Sequence, residues 1–224
     1  MQPVLVIDVG GTHVKALASG EPESRRIDSG PKLGAAAMVQ PLLDLVGDWA
    51  WEAVSIGIPA PVHGGRVVAE TVNLGKGWVG FDYAGAFGKP TRVVNDAAMQ
   101  ALGSYESGKM LFLGLGTGLG SALVAGGYVQ PMELGHLPFR KQTFEDYVGE
   151  RGLEKRGKKR WRKDVVDVVS ALSAALEPDY VVLGGGNAKL LDKLPDGVVL
   201  GDNANAFKGG FRIWDDDAPA RIAA

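Results

Sequence analysis

Two carboxylates in this 224-residue chain lie at the end of a predicted strand. Asp8 closes a β-branched run and precedes a pair of glycines, and Asp96 comes just after the predicted strand Thr91–Val94. A carboxylate beside a glycine turn can organise Mg²⁺ through water, and one at a strand end can accept a proton from a substrate hydroxyl as a general base. Plainer interpretations stand beside both, since Asp8 also suits a strand-end turn and Asp96 also suits the N-cap of the helix predicted to follow.

Glycine-rich turns are the second feature that could do chemistry. The stretch Leu111–Gly127 has glycine at four alternate positions between two apolar runs, which predicts strand, turn, strand. In such a turn the backbone N–H groups can converge on an anion such as phosphate, and Thr117 adds a hydroxyl. The stretch Val4–Ala18 repeats this order, with Gly10–Thr12 in its turn. Together the two stretches indicate an internal duplication.

A third glycine cluster, Gly184–Gly186, ends a predicted strand and precedes a predicted helix. It fits either an ordinary strand–helix turn or a site where a nucleotide or phosphate chain approaches the backbone closely, because a helix N-terminus favours anions. The spacing matches neither a P-loop nor a dinucleotide-binding fingerprint.

A polar group in the second half of the chain could bind hydroxyls. Glu133 and His136 share a loop, and Glu145 follows near the start of a predicted helix. Three such acceptors would suit a polyol. Two alternatives stay open: Glu145 also suits a solvated helix start, and His136 could ligate a metal, although no cysteine accompanies it.

Composition excludes several classes of function. The formal net charge of −2 gives no electrostatic case for binding nucleic acid. The absence of cysteine excludes disulfides, thiolate metal sites and a cysteine nucleophile. The chain has no basic leader and no apolar run of membrane-spanning length, so we expect a cytoplasmic protein without membrane contact.

Strands alternating with helices predict the α/β class, and the two glycine turns predict two similar lobes with a cleft between them. We expect a small N-terminal lobe over residues 1–97, a large C-terminal lobe over residues 98–207, and a segment of about 208–224 that packs back on the first lobe. The tail from Asp215 is expected to be frayed. The longer helices are predicted at Leu33–Trp51, Ala97–Ser107, Thr143–Leu153, Asp164–Leu176 and Asn203–Trp214.

The segment Lys155–Lys163 is strongly basic. A solvated helix face is the ordinary interpretation. The functional alternative is a positive lip beside a channel for a polyanionic phosphoryl donor.

The order of these segments resembles the ROK family of sugar kinases in the actin–hexokinase superfamily, and within it the bacterial polyphosphate glucokinases. The likeness extends from Val4 to about Gly210. The matching segments are Asp8–Lys15 (first phosphate motif), Asn73-Leu74 with Trp78 (sugar loop), Val94–Ala97 (catalytic aspartate), Leu115–Ala122 (second phosphate motif), Glu133–His136 (the E-x-G-H motif), Glu145 (a further sugar-binding glutamate) and Gly184–Gly186 (nucleotide-side glycines).

The resemblance implies a two-lobed actin/hexokinase-like (ribonuclease H-like) fold with the active site in the interdomain cleft. It implies phosphoryl transfer from polyphosphate and/or ATP to the 6-hydroxyl of glucose, with Asp96 as general base and Mg²⁺ held by Asp8 through water. The residues that the resemblance implies for sugar binding are Asn73, Asn95, Asp96, Glu133, His136 and Glu145. Those that it implies for binding the donor phosphates are Asp8, Gly10, Gly11, Thr12, Lys15, Gly116, Thr117, Gly118, Gly184, Gly185 and Gly186.

Other features follow from the same resemblance. No structural zinc is expected, because Arg140–Phe144 stands where many members have a cysteine cluster. A homodimer with a role in glycolysis is expected. A kinase for another hexose (mannose, an N-acetylhexosamine or fructose) and a non-catalytic sugar-binding protein on the same fold are the alternatives.

Overall fold

A computed structural model describes residues 2–202 and 204–223. The strands within this part of the chain are β1 (Val4–Val9), β2 (His13–Ala18), β3 (Arg25–Asp28), β4 (Ala53–Ile58), β5 (Val62–His63), β6 (Arg66–Val67), β7 (Thr91–Asn95), β8 (Met110–Leu115), β9 (Leu119–Ala125), β10 (Tyr128–Met132), β11 (Pro138–Phe139), β12 (Gln142–Thr143), β13 (Tyr180–Gly184), β14 (Val198–Leu200) and β15 (Arg221–Ile222). The α-helices are α1 (Ala35–Leu45), α2 (Tyr83–Phe87), α3 (Asp96–Ser104), α4 (Phe144–Val148), α5 (Glu150–Arg156), α6 (Lys158–Leu176) and α7 (Asn205–Arg212), and short 3₁₀ turns lie at Leu134–His136 and Ala188–Leu190.

Two mixed sheets form the framework. The first has the strand order β3-β2-β1-β4-β7 and the second the order β14-β13-β8-β9-β10-β15. The central strands are β-branched or leucine-rich and buried on both faces, as expected where helices cover both sides of a sheet. The fold is therefore mixed α/β, as the sequence predicts.

The two sheets repeat one topology. In the first, β1 pairs antiparallel with β2 and parallel with β4, and β4 continues parallel to β7. In the second, β8 pairs antiparallel with β9 and parallel with β13, and β13 continues parallel to β14. A further antiparallel strand, β3 or β10, flanks each hairpin. Five strands thus correspond one to one, which supports the duplication suggested by the two glycine turns.

Helices α3 and α7 cross closely beside the two sheets. A Cβ on Gly103 would overlap the Asn205 carbonyl, and a Cβ on Gly209 would overlap the Met99 carbonyl. Only glycine permits this approach of two helix backbones. The crossing joins the halves of the molecule, because α3 follows β7 of the first sheet whereas α7 follows β14 of the second.

The C-terminal segment contacts both halves. Helix α7 packs against β1 and β4, and the Ser55 hydroxyl donates to the Gly210 carbonyl at 2.7 Å. Strand β15, by contrast, pairs with β10 at the edge of the second sheet. The expectation of a frayed tail was wrong over Arg221–Ile222. We propose that residues 1–97 and 98–207 form the two lobes and that α7 links them.

Several predicted helices have other bounds in the structure. The first ends at Leu45, earlier than predicted, and the predicted helix Thr143–Leu153 is split at Gly149 into α4 and α5. Helix α6 begins at Lys158, so most of the basic segment is helical. The last helix spans Asn205–Arg212, and Asn203 lies outside the described residues.

Candidate active site

Asp8 and Asp96 meet at the carboxyl edge of the first sheet. In the strand register, Asp8 is opposite Gly57, and Gly57 is opposite Val94 on the next strand. A Cβ on Gly57 would lie 3.4 Å from the Asp96 Cα and would overlap the Met99 side chain. Glycine at position 57 therefore allows the start of α3 to settle against the sheet, which brings Asp96 close to Asp8.

The electrostatics of this pair are unusual for carboxylates. Burial, reinforced by the charges of Asp8 and Glu133, raises the pKa of Asp96 to about 7. Burial also raises the pKa of Asp8, while Lys15, its partner across the β1–β2 hairpin, opposes that rise. Two carboxylates that share one desolvated site disfavour each other's ionised form. An acidic group with a pKa near neutrality is poised for proton transfer.

The N-cap of α3 is Asn95, so the alternative interpretation of Asp96 as the N-cap is wrong. The Asn95 Oδ1 accepts from the Ala98 N–H at 3.1 Å, and its Nδ2 donates to the Ala60 carbonyl at 3.2 Å. Asp96 lies in the first turn, where one of its oxygens accepts from the adjacent Ala97 N–H at 2.8 Å. Because Asn95 supplies the cap, the Asp96 carboxylate is not needed as the helix cap.

The first two glycine turns face each other. A Cβ on Gly11 would lie 3.5 Å from the Thr117 Oγ1, which is van der Waals contact. The first turn is anchored from behind, because the Ser29 hydroxyl donates to the Gly10 carbonyl at 2.6 Å and the Ser29 N–H donates to the Thr12 carbonyl at 2.9 Å. The two predicted phosphate turns, Gly10–Thr12 and Gly116–Gly118, therefore lie against each other at Gly11 and Thr117.

The second turn is held by its neighbours. The Glu150 N–H at the start of α5 donates to the Gly116 carbonyl at 3.0 Å and to the Thr117 carbonyl at 3.2 Å. The position of a Cβ on Gly116 is open space. The turn thus has a fixed backbone with an open side, as an anion cradle requires.

The third glycine cluster abuts the second turn. Gly185 has a φ of +81°, and its backbone packs directly on Leu115. The Asn187 N–H donates to the Leu115 carbonyl at 3.0 Å. The side of Gly186 is open. All three clusters predicted to contact a phosphoryl donor therefore form one contiguous surface.

The predicted sugar ligands of the second half also come together. The His136 Nε2 lies 3.9 Å from the Glu145 Oε1, and a Cβ on Gly118 would lie 2.7 Å from the Glu145 Oε2. Burial raises the pKa of Glu133, with His136 opposing the rise and Glu145 adding to it. Since the charge of Glu133 also acts on Asp96, the polar cluster borders the pair of aspartates.

Asn73 lies in a loop that the structure organises around Trp78. The Trp78 side chain is fully buried and its Nε1 donates to the Gly75 carbonyl at 2.8 Å. The Glu70 carboxylate accepts from the N–H groups of Gly77 and Trp78. Asn73 itself is exposed, and within the part of the chain that the structure describes it shares no hydrogen bond with the other predicted site residues. Sequence reasoning missed Glu70, whose role depends on a loop closure that no local pattern reveals.

The basic segment forms the end of α5 and the first turns of α6. Arg156 pairs with Asp164 and Arg162 with Asp192, and the Trp161 side chain is buried. The remaining cations of the segment are exposed and form no ion pair within the described ranges: Lys155, Lys158, Lys159, Arg160 and Lys163. Both interpretations of this segment stay open.

Two features are absent from residues 2–202 and 204–223. No helix there has the length and apolarity to cross a membrane. No three His, Asp or Glu side chains converge on a common metal position in that part of the chain.

Known proteins give the site its context. The chain is 30% identical over 211 residues to a polyphosphate glucokinase of Mycobacterium tuberculosis, covering 84% of this chain and 78% of the relative. It resembles the crystal structure of an inorganic polyphosphate/ATP-glucomannokinase from Arthrobacter sp. strain KM, with a TM-score of 0.79 at 23% identity over 94% and 97% of the two chains. A ROK family glucokinase from Streptomyces griseus, solved with glucose and AMPPNP, gives 0.76 at 16% identity over 93% and 97%. No protein-family model matches.

The two-sheet framework is the actin/hexokinase-like fold, and together with the relatives it defines a phosphotransferase that acts on sugars. The chain belongs to the ROK family of sugar kinases, in the group of the polyphosphate glucokinases.

Proposed function

We propose that this kinase transfers a phosphoryl group from polyphosphate and/or ATP to the 6-hydroxyl of glucose, with Asp96 as the general base. The observation that carries the proposal is the state of Asp96. Burial and neighbouring charges raise its pKa to about 7, and it lies close enough to Asp8 and to Glu133 of the polar cluster for both charges to act on it. A base is most effective when its pKa is near the working pH.

Asp96 would take the hydroxyl proton as the sugar oxygen attacks phosphorus. Glu133, His136 and Glu145 would hold the neighbouring hydroxyls, and Asn73 and Asn95 would complete the sugar set. Asn95 also has a structural role, because it is the N-cap of α3. Holding the acceptor oxygen in line with the donor supplies most of the catalysis in phosphoryl transfer, because the protein has little covalent chemistry to do.

The donor's terminal phosphates would lie between Gly10–Thr12 and Gly116–Gly118, with Lys15 beside them and Gly184–Gly186 on the nucleotide side. Asp8 fits a Mg²⁺ site, because it is a desolvated carboxylate and, among the described residues, Lys15 is the cation whose charge acts on it. Mg²⁺ is commonly held by one or two carboxylates together with substrate phosphates. Such an ion would neutralise charge on the transferring group. No structural zinc is proposed, and a homodimer is proposed on the family likeness alone.

The proposal is tested by a coupled assay for glucose 6-phosphate with glucose as acceptor, run in parallel with ATP and with polyphosphate. Turnover with at least one donor is expected. Turnover only with mannose, fructose or an N-acetylhexosamine would show that this sugar, and not glucose, is the phosphoryl acceptor. Sugar binding without transfer from either donor would contradict the kinase and favour a binding protein.

The exposed cations of the basic segment offer a test of the donor. We expect neutralising Lys158, Lys159 and Arg160 together to weaken polyphosphate use far more than ATP use, and the difference to shrink at high salt, because a long polyanion senses this surface. The measurement is KM for each donor at two ionic strengths.

A triple variant of equal charge is the matched control. It neutralises three other exposed cations: Arg66, Lys208 and Arg221. It should leave both donors unaffected. Equal losses for the two donors in the first variant would count against a polyphosphate path over α6.

A further inference from the structure

Helix α4 carries Glu145 and is too short to be stable alone. Five residues form it, and an isolated helix of that length is not populated in water. Its C-terminal end contacts the second glycine turn, since a Cβ on Gly149 would lie 2.7 Å from the Thr117 carbonyl oxygen and 3.2 Å from the Gly118 Cα. Tertiary contacts must therefore fix where Glu145 stands relative to that turn.

A buried ion network surrounds α4. Asp164 of α6 is 2% exposed, yet both of its oxygens are bonded by arginines. Arg140 donates Nη1 to the Asp164 Oδ1 at 2.6 Å. Arg156 donates Nε to the other oxygen and Nη2 to Oδ1 at 3.2 Å. Arg140 lies in the β11–β12 turn that leads into α4, and Arg156 lies at the end of α5 that leads out of it.

The same arginines also hold α4 directly. The Arg156 guanidinium lies 4.7 Å from the centre of the Tyr147 ring, and the Arg140 guanidinium lies 5.3 Å from it. Tyr147 is buried on α4, and the Phe139 ring packs edge-on against it at 5.2 Å. Planar guanidinium groups suit this combination of a carboxylate fork and a stacked aromatic ring.

Asp164 thus joins the segments before and after α4 and, through two arginines, the helix itself. Arg140 also donates Nη2 to the exposed Asp167 at 2.6 Å. The segment before α4 also contains His136, and the segment after it bonds the second glycine turn. We propose that Asp164, with Arg140 and Arg156, is a positioning network that sets Glu145 and His136 against the second turn and so determines sugar affinity. This inference rests on the sugar site of the proposed function.

The test compares Asp164→Asn and Arg156→Lys with the parent protein, by calorimetric titration with glucose. Arg156→Lys keeps a cation beside Asp164 but loses the fork and the stacking, so it remains informative if the first variant fails to fold. We expect each variant to raise the glucose Kd and KM on the order of tenfold while kcat changes less, because sub-ångström misplacement of a binding group is costly.

The matched control is Asp192→Asn. Asp192 pairs with Arg162 of the same helix α6, but it is exposed, and among the described residues Arg162 forms no hydrogen bond or ion pair with α4. This variant should leave glucose affinity unchanged. A rise in Kd equal to that of Asp164→Asn would overturn the proposal.

A double variant separates positioning from general destabilisation. Glu145→Gln keeps hydrogen-bonding capacity and should bind glucose weakly, and adding Asp164→Asn or Arg156→Lys to it should have little further effect. Fully additive losses would overturn the proposal. If the parent protein binds no glucose, the proposed function fails, but hydrogen exchange of the backbone amides of residues 143–150 still tests the network. Faster exchange confined to that segment in Asp164→Asn or Arg156→Lys supports the network. Unchanged exchange overturns it.

Discussion

The β1–β2 and β8–β9 hairpins have the same construction and different chemistry. Each closes on an apolar pair, Val9 with Val14 in the first and Leu115 with Leu119 in the second. The next pair is Asp8 with Lys15 in the first hairpin, whereas it is Gly114 with Gly120 in the second. The first hairpin therefore has charged side chains at the two positions where the second hairpin has glycine.

The difference suggests a division of labour between the halves. The first half supplies the carboxylates Asp8 and Asp96. The second half supplies a turn whose backbone can approach neighbouring groups closely, because its glycines lack side chains. A Cβ on Gly120 would lie 3.1 Å from the Ala97 Cβ, so glycine there lets the start of α3 contact the second hairpin. The two hairpins share one construction, and the different residues at their paired positions make the site asymmetric.

The largest expected effect comes from the helix crossing that joins the halves. Gly209→Ala would place a methyl group on the Met99 carbonyl, so we expect a loss of about 3 kcal/mol in the free energy of unfolding, at the upper end for overpacking. Urea unfolding measures it. Lys208→Ala, at an exposed position of the same helix, should stay within about 0.5 kcal/mol of the parent. Equal midpoints for the two variants would show that the halves are not joined in this way.

The raised pKa of Asp96 predicts a cost in stability that Asp202, the aspartate after β14 in the second half, should not have. The pKa of Asp96 is about 7 in the folded state against an ordinary value of 3.8, so between these values the folded chain holds a proton that the unfolded chain has lost. Stability therefore falls as pH rises through this window. Asp96→Asn removes this dependence and should be more stable than the parent at pH ~8 by on the order of 2 kcal/mol, with no gain near pH ~4.

The control is Asp202→Asn, which follows β14 as Asp96 follows β7. Asp202 is exposed, and its Oδ1 accepts from the Ala204 N–H at 2.7 Å. Thermal unfolding at several pH values should reveal no comparable gain at high pH in this variant. A gain for Asp96→Asn that is independent of pH would argue against a desolvated carboxyl.

The smallest expected effect distinguishes two glycines of the second turn. Neither Gly116 nor Gly118 has a positive φ, so alanine is conformationally allowed at both. At Gly118 a Cβ meets the Glu145 carboxylate at 2.7 Å, whereas at Gly116 it meets open space. We expect Gly118→Ala to raise the sugar KM about tenfold and Gly116→Ala to leave it unchanged. A higher sugar KM in both variants would mean that the turn acts on sugar by another route.

Much of the framework could be predicted from the sequence because its signals are local. Apolar runs interrupted by glycines predict both hairpins, and β1 has the bounds expected for it. The position of Asp8 beside a turn is equally local. Gly57 was not identified, although it decides whether Asp8 and Asp96 can meet, because its importance arises only when three strands are in register.

The rest depended on contacts between distant segments. Asn95 and Asp96 are both good N-cap residues, and only the packing of the strand end against Ala60 selects Asn95. The helix break at Gly149 follows from its contact with the second turn. The network of Arg140 and Asp164 joins residues far apart in the chain, and β15 is too short to leave a pattern.

The most direct test of Asp96 as the general base supplied by the first half is Asp96→Asn, assayed for glucose phosphorylation and, separately, for glucose binding. If Asp96 is the base, turnover should fall by about 10²–10⁴-fold while the glucose Kd stays close to that of the parent protein. Near-normal kcat in a correctly folded Asp96→Asn would contradict the account.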